Sequence, residues 1–350
     1  MKLTAVLVLC ILGIAHANLI AVAVRGAGTL DIIDPLSSTV VNSLPAGVLP
    51  GYVTNIGRNI YSSDSGSEYI YRFYVNDNNT VVENGRIPVR GCEGGFHMIS
   101  TQDFTTRRFL AVTCSGSKNT FIVNPENTAV KQIIPVPKFP SWIDSSTAEP
   151  HDVVLNGRFI YITYLKLVSL DPKRPNPGFV VQYNAFTYEE LNRVRTVSDP
   201  HVNAAGSSDL FVAAQSGTVA EGTAYQVNPT SMDIVEEFQT RWTSSAHGIV
   251  VSPDLERLYV GNIINQEVGI VTFDLTVYPM KKLCRVTMTA EERPHNLAVS
   301  NGFLFIASVS SDLVTRFELL NGKGCPVQAT ETFITVAGTT LGIADIDVSF

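Results

Sequence analysis

The sequence has 350 residues, 45% of them apolar and 16% charged, with a net charge of -7. Such a chain can bury a sizeable core and is not of the disordered class. The acidic balance and the absence of Lys/Arg-rich runs argue against nucleic acid as a partner.

The chain opens MKLTAVLVLCILGIAHA: one Lys, an apolar run from Leu3 to Ile14, and the small-x-small triplet Ala15-His16-Ala17. This is the form of an export leader, with cleavage expected after Ala17. The run is shorter than the ~20 residues of a membrane span, and no later segment approaches that length. The expectation is a secreted, monomeric protein with residues 1–17 as signal peptide and 18–350 as one domain. Removing the leader takes Cys10 away and leaves Cys92, Cys114, Cys284 and Cys325. An even count in an exported chain favours two disulfides, for which three pairings exist. Cys92–Cys114 and Cys284–Cys325 are preferred, because each closes a loop within one or two neighbouring units. A zinc site is the rival use, without CxxC spacing to support it. Asn78-Asn79-Thr80 is an N-glycosylation sequon in the polar turn NDNNT; the second match, at Asn228, is blocked by Pro229.

The first stretch of the mature chain, NLIAVAVRGAGTLDIIDPLSSTVVNSLP (18–45), supplies three short apolar strands. Residues 51–75, GYVTNIGRNIYSSDSGSEYIYRFYV, begin a fuller unit, with Tyr52 near its start. Five further units follow, each starting near a histidine: GGFHMIS, EPHDVVL, DPHVNAA, SAHGIVV and RPHNLAV. Their histidines, His97, His151, His201, His247 and His295, are spaced by 54, 50, 46 and 48 residues. Within each unit a second strand (RRFLAVTC, GRFIYITY, SDLFVAAQ, ERLYVGN, NGFLFIAS), a third and a fourth recur between Gly, Asn, Asp, Ser and Pro turns. Helical periodicity is nearly absent; only TYEELNRV (187–194) and TAEER (289–293) have room for a helical turn. The last segment, TTLGIADIDVSF (339–350), is a lone first strand with Leu341 where the histidine falls.

Four strands repeating about every 48 residues predict an all-β fold, a seven-bladed β-propeller of four-stranded antiparallel blades. The C-terminal strand completes the N-terminal blade, which removes open sheet edges.

The stretch AHGIVVSPDLERLYVGNIINQEVGIVTFDL (246–275) resembles the YVTN family of β-propeller repeats, through its His-Gly, the Ser252-Pro253-Asp254 turn and Leu-Tyr-Val. Leu255 replaces the usual Gly of that turn. The resemblance implies a propeller whose relatives include lactonases, lyases, metal-site enzymes, surface proteins and scaffolds, so it specifies fold better than activity.

First strands of a propeller line its channel, so the five histidines and Tyr52 converge near one mouth. Converging imidazoles are candidate ligands for a transition metal such as Cu or Zn, with Glu93, Glu149, Asp199 and Glu292 as carboxylates able to orient them. Strand alternation gives a competing expectation. It sets each His on the side of large aliphatics, between blades, where it braces a loop, and leaves Met98, Asp152, Val202, Gly248 and Asn296 to the channel. Asp152 and Asn296 with Glu149 form a candidate oxygen-rich divalent-metal set. Arg90, Arg241 and Arg293 near blade starts are candidate anion donors. Trp142 and Trp242 stand ahead of two blade-start histidines, Trp142 beside the Pro-rich insertion that lengthens the fourth blade. The leading expectation is an extracellular binding or scaffold protein with a pocket at the channel mouth, for a small molecule or another protein. The alternative is a lactonase-like hydrolase or His-ligated metal enzyme using the same residues. Elbow, zincin, P-loop and dinucleotide motifs are all missing.

Overall fold

The computed structural model describes residues 18–100, 108–205, 208–215, 223–238, 245–263, 268–289, 291–319 and 324–346. The expected leader (1–17), Arg241 and Trp242 fall outside these residues, as does one residue of the 289–293 segment. Seven four-stranded antiparallel sheets are present, and all but the first run in chain order from an inner to an outer strand. The inner strands are Pro50–Ile56, Gly95–Ser100, Glu149–Asn156, Pro200–Ala205, Ala246–Val251, Pro294–Ser300 and Thr340–Ile346. The last belongs to blade 1, where it pairs antiparallel with Leu19–Val24, so the chain closes its ring with its C-terminal strand as expected. The blades starting at Pro50, Gly95, Glu149, Pro200, Ala246 and Pro294 are blades 2 to 7.

Seven buried apolar clusters fill the seven gaps between consecutive blades. One holds Ile56, Ile70 and Ile87 of blade 2 against Leu110, Val112 and Phe121 of blade 3. A blade is therefore covered on both faces. This explains why the second strands, such as LAVTC (110–114) and FIYITYL (159–165), are apolar throughout rather than alternating. Burial on both faces is the main source of stability here, at roughly 25 cal/mol per Å² of apolar surface.

Both expected disulfides are formed, with Cα–Cα distances of 5.2 Å for Cys92–Cys114 and 6.2 Å for Cys284–Cys325. The second joins the outer strand of blade 6 to the connection between the outer strands of blade 7. Residues Glu190–Val197 form the outer strand of blade 4, and no helical turn forms at 187–194. The Asn184 side chain accepts from the Phe186 and Thr187 amides, and Tyr188 at φ 59° turns the chain back into the sheet. The blade 4 insertion folds into a small ribbon in which Ile143–Asp144 pairs with Val168–Ser169. Trp142 lies on it between the guanidinium groups of Arg174 and Arg195, 4.9 and 5.1 Å from the ring centre. Among the described residues, no helix is long and apolar enough to cross a membrane.

Candidate functional site

Strand alternation misplaces the histidines. In blades 2, 3, 4, 6 and 7 the pairing of the inner strand shifts at the very residues that carry Tyr52, His97, His151, His247 and His295. A bulge adds a residue on one strand and resets which side each later residue faces. The rings therefore meet each other at the axis instead of entering the gaps between blades. Blade 5 has no bulge, and His201 pairs regularly with Ala213. There the preceding residue turns the chain: Asp199 has φ 52°, a left-handed conformation, directly before Pro200. That is a costly place for a residue with a side chain.

The outcome is a closed circle of six rings. Centroid distances run 3.6 Å from Tyr52 to His97, 4.4 Å to His151, 4.7 Å to His201, 3.8 Å to His247, 4.1 Å to His295 and 6.3 Å back to Tyr52. Blade 1 contributes Leu341, also buried, at the seventh position. Close approach depends on Gly248, since a Cβ there would stand 2.6 Å from the His295 carbonyl oxygen.

Two carboxylates enter the circle. Asp152 accepts from His97 Nδ1 at 2.9 Å and from the Val153 and Val202 amides at 2.8 and 2.9 Å, which joins blades 3, 4 and 5. Asp199 places Oδ1 3.5 Å from His151 Nε2 and 3.6 Å from His201 Nε2. Asp199 Oδ1 and His201 Nε2 are both buried without a hydrogen-bond partner. Elsewhere the imidazoles brace the blades: His247 Nδ1 donates to the His295 carbonyl at 3.2 Å, and the Tyr52 hydroxyl lies 3.5 Å from His295 Nδ1. Bracing and convergence thus coexist, on different nitrogen atoms.

Burial, reinforced by neighbouring rings, pulls His151, His201 and His295 well below the ordinary imidazole range. Burial lowers His247 to about 4. The same loss of hydration, with the charge of Asp152 nearby, pushes Asp199 up to about 6. Tyr52 is raised well above its usual value by burial and by both carboxylates. On one side of the ring the channel widens into a cavity of about 140 Å³, with Asp152, His201, His247 and Asn296 at its polar end and Ile249, Leu297 and Ile343 along its wall. That is smaller than the ~300 Å³ of pockets for drug-sized ligands, so it suits a small substrate.

Three of the four carboxylates expected to orient the rings do not reach them. Glu93 is exposed. Glu149 pairs with Lys166 at 2.9 Å. Glu292 is buried but satisfied by the Thr289 amide, the Thr289 hydroxyl and the Thr315 hydroxyl. Consequently Glu149 does not join Asp152 and Asn296, whose partners are His97 and Tyr52. Arg90 and Arg293 are exposed. Met98 and Val202 line the cavity beside the ring.

Solved structures share the fold. A Bacteroides uniformis protein provisionally called a 6-phosphogluconolactonase superposes with TM-score 0.67 at 12% identity, over 94% of this chain and 100% of that one. The periplasmic gluconolactonase of Pseudomonas aeruginosa gives 0.68 at 14%, over 95% and 99%. Hydrazine synthase of Kuenenia stuttgartiensis gives 0.61 at 14%, over 80% of each chain. No protein-family model matches the sequence, the YVTN family included, and no curated protein matches it. At these identities the likeness is one of fold.

Proposed function

We propose that the protein is a lactonase-type hydrolase acting at the axial cluster. The observation that carries this reading is the meeting of five imidazoles and two carboxylates at the axis, where His201, His247 and Asp152 line the polar end of a small cavity. In lactone hydrolysis, water adds to the acyl carbon, the ring C–O bond breaks, and the leaving alkoxide takes a proton to give a hydroxy acid. The cluster supplies proton acceptors beside the reacting water, and the cavity holds the ring. His97 is set by Asp152, while Asp199, His151 and His201 face one another where the water is activated. The gluconolactonase names borne by proteins of this fold support the reading. Cleavage after Ala17, export, the monomeric state and glycosylation at the exposed Asn78 belong to the same proposal; the two disulfides are compatible with it.

A second reading, a bracing ring inside a binding or scaffold protein, is favoured by the bond from His247 to the His295 carbonyl. Purified protein assayed on a panel of γ- and δ-lactones separates the two. Asp199→Asn should cut turnover by roughly 100-fold or more with the fold retained, the scale of a lost acid–base group. Absence of turnover on every lactone, or undiminished turnover in that variant, would overturn the hydrolase reading.

A further inference from the structure

We infer that the blade 4–5 side of the ring is a binding site for a divalent transition metal of the imidazole-preferring class, Cu(II) or Zn(II), held by His97, His151 and His201, with Asp199 as the carboxylate beside the last two. This deepens the hydrolase reading by naming what activates its water, but the site stands on its own geometry.

The donor atoms are already gathered. Ligand atoms of His97, His151 and His201 lie within 4.8 Å of one another, as do those of Asp199, His201 and His247. Spacing within the set decides between a hydrogen-bonded network and a metal. Asp199 Oδ1 is 3.5 and 3.6 Å from the two Nε2 atoms and hydrogen-bonds neither. Around a tetrahedral ion with bonds of about 2.0–2.2 Å, neighbouring ligand atoms stand roughly 3.3–3.6 Å apart. The observed gaps match that edge.

Two further observations point to an absent partner. Asp199 Oδ1 and His201 Nε2 are buried and make no hydrogen bond, in a structure where the buried carboxylates Asp64 and Glu292 accept four and three. Buried polar atoms left in that state are rare. The backbone that aims Asp199 is in the left-handed region before a proline, and strain of this kind gathers where side chains must be held for a ligand. The surroundings also follow the pattern of metal centres, in which a carboxylate accepts from the second ring nitrogen of a ligating histidine. Asp152 does this for His97 and is itself fixed by two amides. Three imidazoles with one carboxylate select Cu or Zn over Ca²⁺ or Mg²⁺, which take oxygen donors. His151 keeps 14% of its side chain exposed and Asp199 30%, which leaves an approach for the ion.

Chelator-treated full-length protein is titrated with Cu(II) alone, followed by calorimetry and electron paramagnetic resonance, and in parallel with Zn(II). One equivalent should bind, with nitrogen coupling from several imidazoles in the copper spectrum. Asp199→Asn, which tolerates the left-handed backbone, should weaken binding roughly 10- to 100-fold, and His151→Ala by at least as much. Should His151→Ala fail to fold, the wild-type nitrogen coupling and the Asp199→Asn affinity still decide. Sub-stoichiometric uptake, a spectrum without multiple nitrogen coupling, or wild-type affinity in Asp199→Asn would overturn the site. Metal binding without lactone turnover would leave the site standing and remove the hydrolase reading; turnover by protein that takes up no metal would do the reverse.

Discussion

Blades 4 and 5 and blades 6, 7 and 2 contribute to one ring of side chains, yet the two arcs satisfy their polar atoms differently. On the second arc His247 donates to the next blade's carbonyl, and His295 meets Tyr52 on one side and the backbone of Leu341 on the other. On the first arc Asp199 Oδ1 faces His151 and His201 across gaps of 3.5 and 3.6 Å and hydrogen-bonds neither ring. The same contrast separates two carboxylates, buried Glu292 with three donors and Asp199, whose buried Oδ1 has none. A satisfied buried group holds a structure together, and an unsatisfied one in a strained backbone is held ready for something else.

The largest expected effect falls on the first arc. Asp199→Asn should remove most lactone turnover, roughly 100-fold or more, while the melting temperature changes little. A variant that unfolds without losing specific activity would erase the difference between the arcs. On the second arc, His295→Leu keeps the volume and removes the polar contacts. It should cost about 1–3 kcal/mol of stability in a denaturant titration, with Cu(II) affinity unchanged. Loss of copper binding there would mean that the arcs act as one unit.

Acid sharpens the comparison further. In metal-free protein, His151, His201, His247 and His295 have folded pKa values below the 6.5 they take in the unfolded chain. Their contribution is complete above pH 6.5 and is lost as the pH falls toward about 4, where His247 begins to charge. Asp199, raised to about 6, acts in the opposite sense: its burial is penalised least when protonated. Asp152 favours charging of His247, while Arg25 opposes charging of His295 and Lys166 that of His151. Four groups against one should lower the melting temperature by several degrees between pH 6.5 and 4, and a flat profile would contradict neutral buried rings. The smallest effect is expected for Tyr52→Phe, about 0.5–1.5 kcal/mol, because the hydroxyl contacts to His295 and Asn296 are lost while the ring is kept.

The fold was legible because it repeats. Strand order, blade count, ring closure and both disulfides follow from the spacing of the histidines, and from apolar runs that stay apolar when both faces are covered. The site was legible in part. Convergence of the histidines follows from symmetry, but the side each one faces does not, because a bulge leaves no mark in a period-2 pattern. Asp152 joins residues 55 and 50 positions away in two other blades, a relation visible only after closure. Asp199 did carry a signal. The Asp-Pro-His of blade 5 differs from the Glu-Pro-His of blade 4 and the Arg-Pro-His of blade 7 by the one residue type of the three that readily adopts the left-handed backbone.

The most direct measurement is anomalous X-ray scattering at the Zn or Cu edge from crystals of metal-loaded protein. A single peak is expected on the blade 4–5 side of the axis, about 2.0–2.2 Å from ring nitrogens of His97, His151 and His201 and beside Asp199. A loaded crystal whose metal lies elsewhere, with the six rings unchanged and that position empty, would contradict it.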